Sequence, residues 1–123
     1  MTVADTDVLI DYLAGKGEAD KVERLLLRAV LWTTVITRYE LLCGTKTPKQ
    51  ASSMAQLLEA LPTLELDEAA VDAAAGIQKS LQQAGHGIGM ADSLIAGIVI
   101  SKGATLFTRN RRHFERIPGL DLA

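Results

Sequence analysis

Met1-Thr2-Val3-Ala4-Asp5-Thr6-Asp7-Val8-Leu9-Ile10-Asp11-Tyr12-Leu13 opens the chain with a short apolar run, an acid and then helical spacing. Val3 and Ala4 read as a buried strand. Val8, Leu9, Ile10 and Leu13 take helical intervals, and Gly15 and Gly17 end that helix. The acid Asp5 stands at the junction of the two elements.

The same alternation continues outward. Glu18 to Arg28 predicts a second helix, with Val22, Leu25, Leu26 and Ala29 on one face. Val30 to Thr33 is a β-type run, and Thr34 to Cys43 is helical up to Gly44. A polar loop surrounds Pro48. Ala51 to Leu61 is a helix whose Met54, Leu57, Leu58 and Leu61 mark a core-facing stripe, and Pro62 ends it. Leu64 to Leu66 is a short strand, and Asp67 caps an Ala-rich helix reaching about Ala84. Gly85 to Gly89 is a flexible loop. Met90 to Ser101 is an apolar helix with Asp92 near its start. Ala104 to Thr108 is a strand, Arg109 to Arg116 a basic turn or short helix, and a final edge segment follows Pro118. The strand runs are short and continuously apolar. They predict an α/β fold of three layers, α/β/α, with a short parallel sheet covered on both faces. The chain has 123 residues and no repeat or internal linker, so one domain over 1–123 is expected. In such folds ligands bind beyond the carboxyl ends of the strands, where Asp5, Thr108 and Asn110 fall.

Thirteen basic and fifteen acidic residues leave a net charge of −2, so the chain is not a generic polyanion binder. Contact with nucleic acid would need a local basic patch or a bound cation. The single cysteine, Cys43, makes no intrachain disulfide and no cysteine metal site. It reads as a small apolar residue within a helix, because neither His86 nor His113 has the spacing of a thiol's partner. No basic-then-apolar leader opens the sequence, and the run from Leu94 to Ile100 is too short to span a bilayer. A cytoplasmic location with no membrane contact is the expectation.

Three acids sit in apolar surroundings. Each has a structural alternative: Asp5 as an N-cap, Glu40 in a capping box with Thr37, and Asp92 as a cap for the helix after it. Against these, a carboxylate among buried residues is costly unless it is paired or bound to a metal. Two carboxylates about 5 Å apart repel by roughly 3 kcal/mol at an effective dielectric of about 20. Three that converge must take up protons or hold a cation. A set of hard oxygens without thiolates favours Mg²⁺ or Mn²⁺ over Zn²⁺.

Four blocks carry a resemblance. Asp5-Thr6-Asp7-Val8-Leu9-Ile10, Thr37-Arg38-Tyr39-Glu40-Leu41-Leu42-Cys43-Gly44, Ala91-Asp92-Ser93-Leu94-Ile95-Ala96 and Thr108-Arg109-Asn110-Arg111-Arg112-His113-Phe114 resemble, in order and separation, the four blocks of the PIN-domain family. Within it, the chain is most similar to VapC-type toxins of bacterial toxin–antitoxin pairs. The resemblance implies a PIN-like fold and an endoribonuclease that uses Mg²⁺ or Mn²⁺. It makes Asp5, Glu40 and Asp92 the metal-binding and catalytic acids. Thr108 matches the family's Ser/Thr beside the site, and Thr6 a hydroxyl behind the ligands. It also implies an RNA substrate, a homodimer and a cognate VapB-type antitoxin. One position departs: many PIN domains carry a fourth acid in the last block, where this chain offers Asn110 and His113. Asn110 supplies a neutral oxygen or holds a water in that reading, whereas His113 reads first as a packing or loop residue. Arg109, Arg111, Arg112 and Arg116 are the RNA-binding candidates, with a solvated turn as their alternative.

Two rival readings remain open. A receiver-type phosphoacceptor domain would use Asp5 and Asp7 as its acidic pair and Asp67 as acceptor, but Thr108-Arg109 stands where its lysine is needed. A PIN-like RNA- or protein-binding module with weak turnover is kept alive by the missing fourth acid.

Overall fold

A computed structural model describes residues 1–123. β1 (Thr2–Ala4) runs straight into α1 (Thr6–Leu13). Asp5 between them has extended backbone and caps α1, its carboxylate accepting from the Thr6 amide. Then follow α2 (Ala19–Leu27), β2 (Leu31–Thr34), α3 (Val35–Gly44), α4 (Pro48–Ala60), β3 (Thr63–Leu64), α5 (Glu68–Gln83), α6 (Met90–Ser101), β4 (Thr105–Phe107), α7 (Arg111–Phe114) and β5 (Asp121–Leu122).

The sheet order is β3-β2-β1-β4-β5, and every neighbouring pair is parallel. β1 is central. The chain lays β2 and β3 on one side of it, then crosses to lay β4 and β5 on the other. Reversal of winding beside the central strand opens a crevice at the carboxyl ends of β1 and β4. Successive strand side chains point to opposite faces. Val3 and Leu106 join a core with Ala70 and Ile77 of α5 and Ile95 and Val99 of α6. Ala4 and Phe107 join a second core with Leu9, Val22, Leu41 and Leu57 on the other face. The expected α/β/α layering results. Met54, Leu57, Leu58 and Leu61 are buried, as their spacing predicts.

Several local expectations change. α4 starts at Pro48 rather than Ala51, because Thr47 caps it by accepting from the Gln50 amide and proline's missing donor is not needed there. β3 covers Thr63–Leu64 only. Its partner β2 turns into α3 after Thr34, so residues 65 and 66 have no ladder to join. The loop 85–89 is tied to α5: the Gln78 side chain bonds both the carbonyl and the amide of Ile88, at 2.6 and 3.0 Å. Cys43 lies within α3 but is exposed.

Ala29 is not on the inner face of α2. It follows the helix with φ +56, in the left-handed region, where its amide bonds the Leu26 carbonyl at 3.0 Å. A side chain there costs about 1–2 kcal/mol. Ala29→Gly is expected to stabilise the protein by about 0.5–1 kcal/mol, once glycine's larger unfolded-state entropy is subtracted. A higher urea midpoint with an unchanged slope is the measurement that checks it.

Candidate active site

The crevice at the switch point draws on three acids, Asp5 after β1, Glu40 of α3 and Asp92 of α6, and on Thr108 after β4. Asp5 follows β1, and Thr108 follows β4, whose Phe107 pairs with Ala4. Parallel pairing therefore brings the two residues side by side: the Thr108 hydroxyl donates to Asp5 Oδ2 at 2.8 Å. The other Asp5 oxygen accepts from the Thr6 amide at 2.8 Å. Thr6 reaches the next acid, its hydroxyl donating to Glu40 Oε1 at 2.7 Å, with the Thr37 hydroxyl 3.1 Å away. On the far side, the Asn110 amide donates to Thr108 Oγ1 at 3.0 Å. The Asn110 side-chain nitrogen lies 2.8 Å from His113 Nδ1, which is 3.6 Å from Asp92 Oδ2. One hydrogen-bonded chain thus runs Glu40–Thr6–Asp5–Thr108–Asn110–His113, and Asp92 lies just beyond its end.

The alternatives for the three acids separate. Asp5 is both a helix cap and a member of the crevice. Glu40 forms no capping box, because α3 begins earlier, capped by Thr34 through the Thr37 amide at 3.1 Å, and Glu40 sits in the helix body. Asp92 is the third residue of α6, whose cap is Gly89, and it makes no cap bond. Burial also differs from expectation. Asp5 is buried, but Asp92 keeps 31% of its side chain exposed and Glu40 is half-buried. Tyr39 and Leu42 beside Glu40 face solvent. Of the three acids, only the one at the junction of two paired strands is buried.

Burial pushes the Asp5 carboxyl above its ordinary value of 3.8. Hydrogen bonds from Thr108 and Thr6 pull it back, and the charges of Asp92 and Asp7 raise it further. Thr108→Val removes the bond that favours the charged form. Asp5 is then expected to titrate at higher pH, observable by carboxyl-carbon NMR, with about 1–3 kcal/mol lost from stability.

The donors suit a hard divalent cation: a buried carboxylate that feels the charges of Asp92 and Asp7, Glu40 one threonine away, and no thiolate among them. No three acidic, histidine or cysteine side chains approach closely enough to enclose an ion. Mg²⁺ ordinarily keeps several waters and needs only one or two carboxylates, so an open arrangement fits it.

The four arginines have different partners. Arg111 donates to the Ala123 carbonyl, Arg116 lies 2.9 Å from His86 Nδ1, and Arg112 is exposed. Arg109 turns back to α1, where Asp11 accepts from it. Asp11 escaped the sequence reading. Its signal was an acid three residues after Val8, on the buried side of an amphipathic helix. Beside Glu40, a groove of about 430 Å³ runs between α1, α3 and α4, lined by Ile10, Leu13, Leu41, Met54 and Lys49. No helix is long and apolar enough to cross a membrane.

The model of the PIN domain matches residues 2–120. Ribonuclease VapC1 of Methanocaldococcus jannaschii is 31% identical over 115 residues, covering 94% of this chain and 79% of that one. The tRNA(fMet)-specific endonuclease VapC of Shigella flexneri is 27% identical over 120 residues, covering 94% and 91%. Among solved structures, DNA-bound VapBC from Salmonella typhimurium superposes with a TM-score of 0.86 at 30% identity, covering 99% and 96%.

Proposed function

The chain belongs to the PIN-domain family, and from that premise we propose that it is a divalent-metal-dependent endoribonuclease, the toxin of a VapBC-type pair. The names of its VapC relatives support the activity. The observation that carries it here is Asp5: a buried carboxyl, held by Thr6 and Thr108 at the sheet's switch point. Asp5, Glu40 and Asp92 would hold the cation. Bound there, Mg²⁺ or Mn²⁺ supplies Lewis-acid activation of water and of the phosphodiester.

The chain's own residues do the rest. Thr6 keeps Asp5 and Glu40 in fixed relation, and Thr108 turns Asp5 Oδ2 by donating to it. His113 stands beside Asp92 and Asn110 beside His113, and in this reading Asn110 supplies a neutral oxygen or holds a water. Arg111 and Arg112 of α7, and Arg116 just after it, are the side chains we propose as contacts for RNA phosphates. Water adds to phosphorus, the bond to the 3′ oxygen breaks and that oxygen takes the proton, leaving 5′-phosphate and 3′-hydroxyl ends. The partner we propose is a VapB-type antitoxin, whose apolar segment suits the groove of Ile10, Leu13, Leu41 and Met54. A homodimer in the cytoplasm completes the reading.

The test is cleavage of labelled total RNA and of a transfer-RNA pool by antitoxin-free protein, with Mg²⁺, Mn²⁺ or EDTA, beside Asp92→Asn. Discrete, metal-requiring fragments that vanish in the variant support the nuclease. The open spacing of the acids favours a second reading, a PIN-like binding module with little turnover. Folded protein that binds RNA but cuts none with either metal would select that reading.

A further inference from the structure

Asp11 is a buried acid in α1, 5% exposed, whose side chain no part of the proposed chemistry uses. Both its oxygens lie 3.0 Å from Arg109 Nη1. Arg109 Nη2 adds a contact to Asp7 Oδ2 at 3.5 Å. The acid is walled in from the other side. A Cβ on Gly17 would sit 2.8 Å from Asp11 Oδ2, and Gly17 has φ +63, so only glycine leaves the carboxylate its place. A buried carboxylate with one cation on it is a demanding pair, because removing either partner leaves an uncompensated charge or a loose end.

Arg109 lies between Thr108 and Asn110, whose hydroxyl and amide are bonded to each other. Anchoring Arg109 to α1 therefore anchors the turn that carries Thr108, and Thr108 is what orients Asp5 Oδ2. The geometry points to an Asp11–Arg109 clasp that positions Thr108 against Asp5 and so sets the site's affinity for its divalent cation. Arg109 is then a positioning residue, and the phosphate grip falls to the other arginines. The inference rests on the metal-dependent nuclease reading.

The experiment measures Mn²⁺ affinity by the EPR signal of the free ion. Alongside it goes the salt dependence of binding to a fluorescent single-stranded RNA in Ca²⁺ buffer. Arg109→Gln is expected to weaken Mn²⁺ binding about 10- to 100-fold, the usual effect of losing a group behind the ligands. Its RNA salt slope stays that of the wild type, and Arg109→Lys recovers part of the Mn²⁺ affinity. Asp11→Asn weakens Mn²⁺ binding similarly, and the double variant is no worse than either single one, as for two halves of one contact. Should Asp11→Asn fail to fold, the Arg109 variants still decide, because that side chain is more than half exposed. Unchanged Mn²⁺ affinity in Arg109→Gln, with the salt slope reduced by about 0.7, makes Arg109 a phosphate grip and overturns the inference. Wild-type protein that binds Mn²⁺ and cuts RNA beside such a variant leaves the nuclease reading standing. Wild-type protein that does neither overturns both.

Discussion

Asp5→Asn is expected to abolish cleavage and, in the same protein, to raise stability at neutral pH in the absence of metal. Asparagine keeps the shape. It caps α1 as well as aspartate does, and the Thr108 hydroxyl has a free lone pair to accept from the new amide. What disappears is the negative charge at the switch point. A cation's contribution to the transition state amounts to several kcal/mol, so a loss of about 10³-fold or more is expected in single-turnover cleavage.

The stability effect has the opposite sign, and its pH dependence follows from the raised pKa. Burial holds the folded-state value of Asp5 above its ordinary 3.8, so the native protein retains a proton that the unfolded chain gives up. The stability contributed by that proton is fully present below the ordinary value and is lost as pH rises through the folded one. Asparagine never ionises and escapes the loss. Melting in EDTA should therefore show Asp5→Asn above wild type at pH 7, with the gap closing as pH falls below 3.8. Saturating Mn²⁺ should raise the wild-type midpoint by mass action and leave the variant's where it was. Equal midpoints at pH 7 in EDTA would mean that the carboxyl is better compensated than its burial implies.

The second large effect lies away from the acids. Gly97→Ala in α6 is expected to destabilise the protein by about 3 kcal/mol or more, against roughly 10 kcal/mol for a domain of this size. A Cβ at Gly97 would stand 2.4 Å from the Ala70 carbonyl oxygen and 2.8 Å from both the Cβ and the amide nitrogen of Ala74. Backbone cannot swing aside as a flexible side chain can, so α5 and α6 must part. Intrinsic propensity predicts the reverse, since alanine favours a helix over glycine by about 1 kcal/mol. Gly76→Ala on α5 is the control: nothing lies within 4 Å of its Cβ position, so there the propensity gain should appear. Urea unfolding of the two variants reads the opposite signs directly. Because α6 carries Asp92 in its first turn, Gly97→Ala should also lower cleavage by the protein that remains folded.

How much of this was legible in the chain divides along a physical line. Strand, acid and helix at residues 2–13, the caps at Asp5 and Asp67, and the stripe Met54–Leu61 are local. Each depends on residues a few positions apart, and periodicity and capping chemistry report such relations directly. The four motif blocks likewise name the acids without reference to their neighbours in space. The structure alone decided which acid is buried. Asp5 is enclosed because β4 crosses to the far side of β1 and sets Thr108 beside it, 103 residues away in sequence. Asp92, in a more apolar stretch, stays partly open to solvent because α6 starts at the crevice mouth. Arg109 is the sharper case. In the sequence it is one of four arginines in a basic run; in the fold it belongs to Asp11, 98 residues earlier. A pairing over that distance leaves no trace in local pattern, because it is created by the sheet order, and the sheet order is settled only when both cores close.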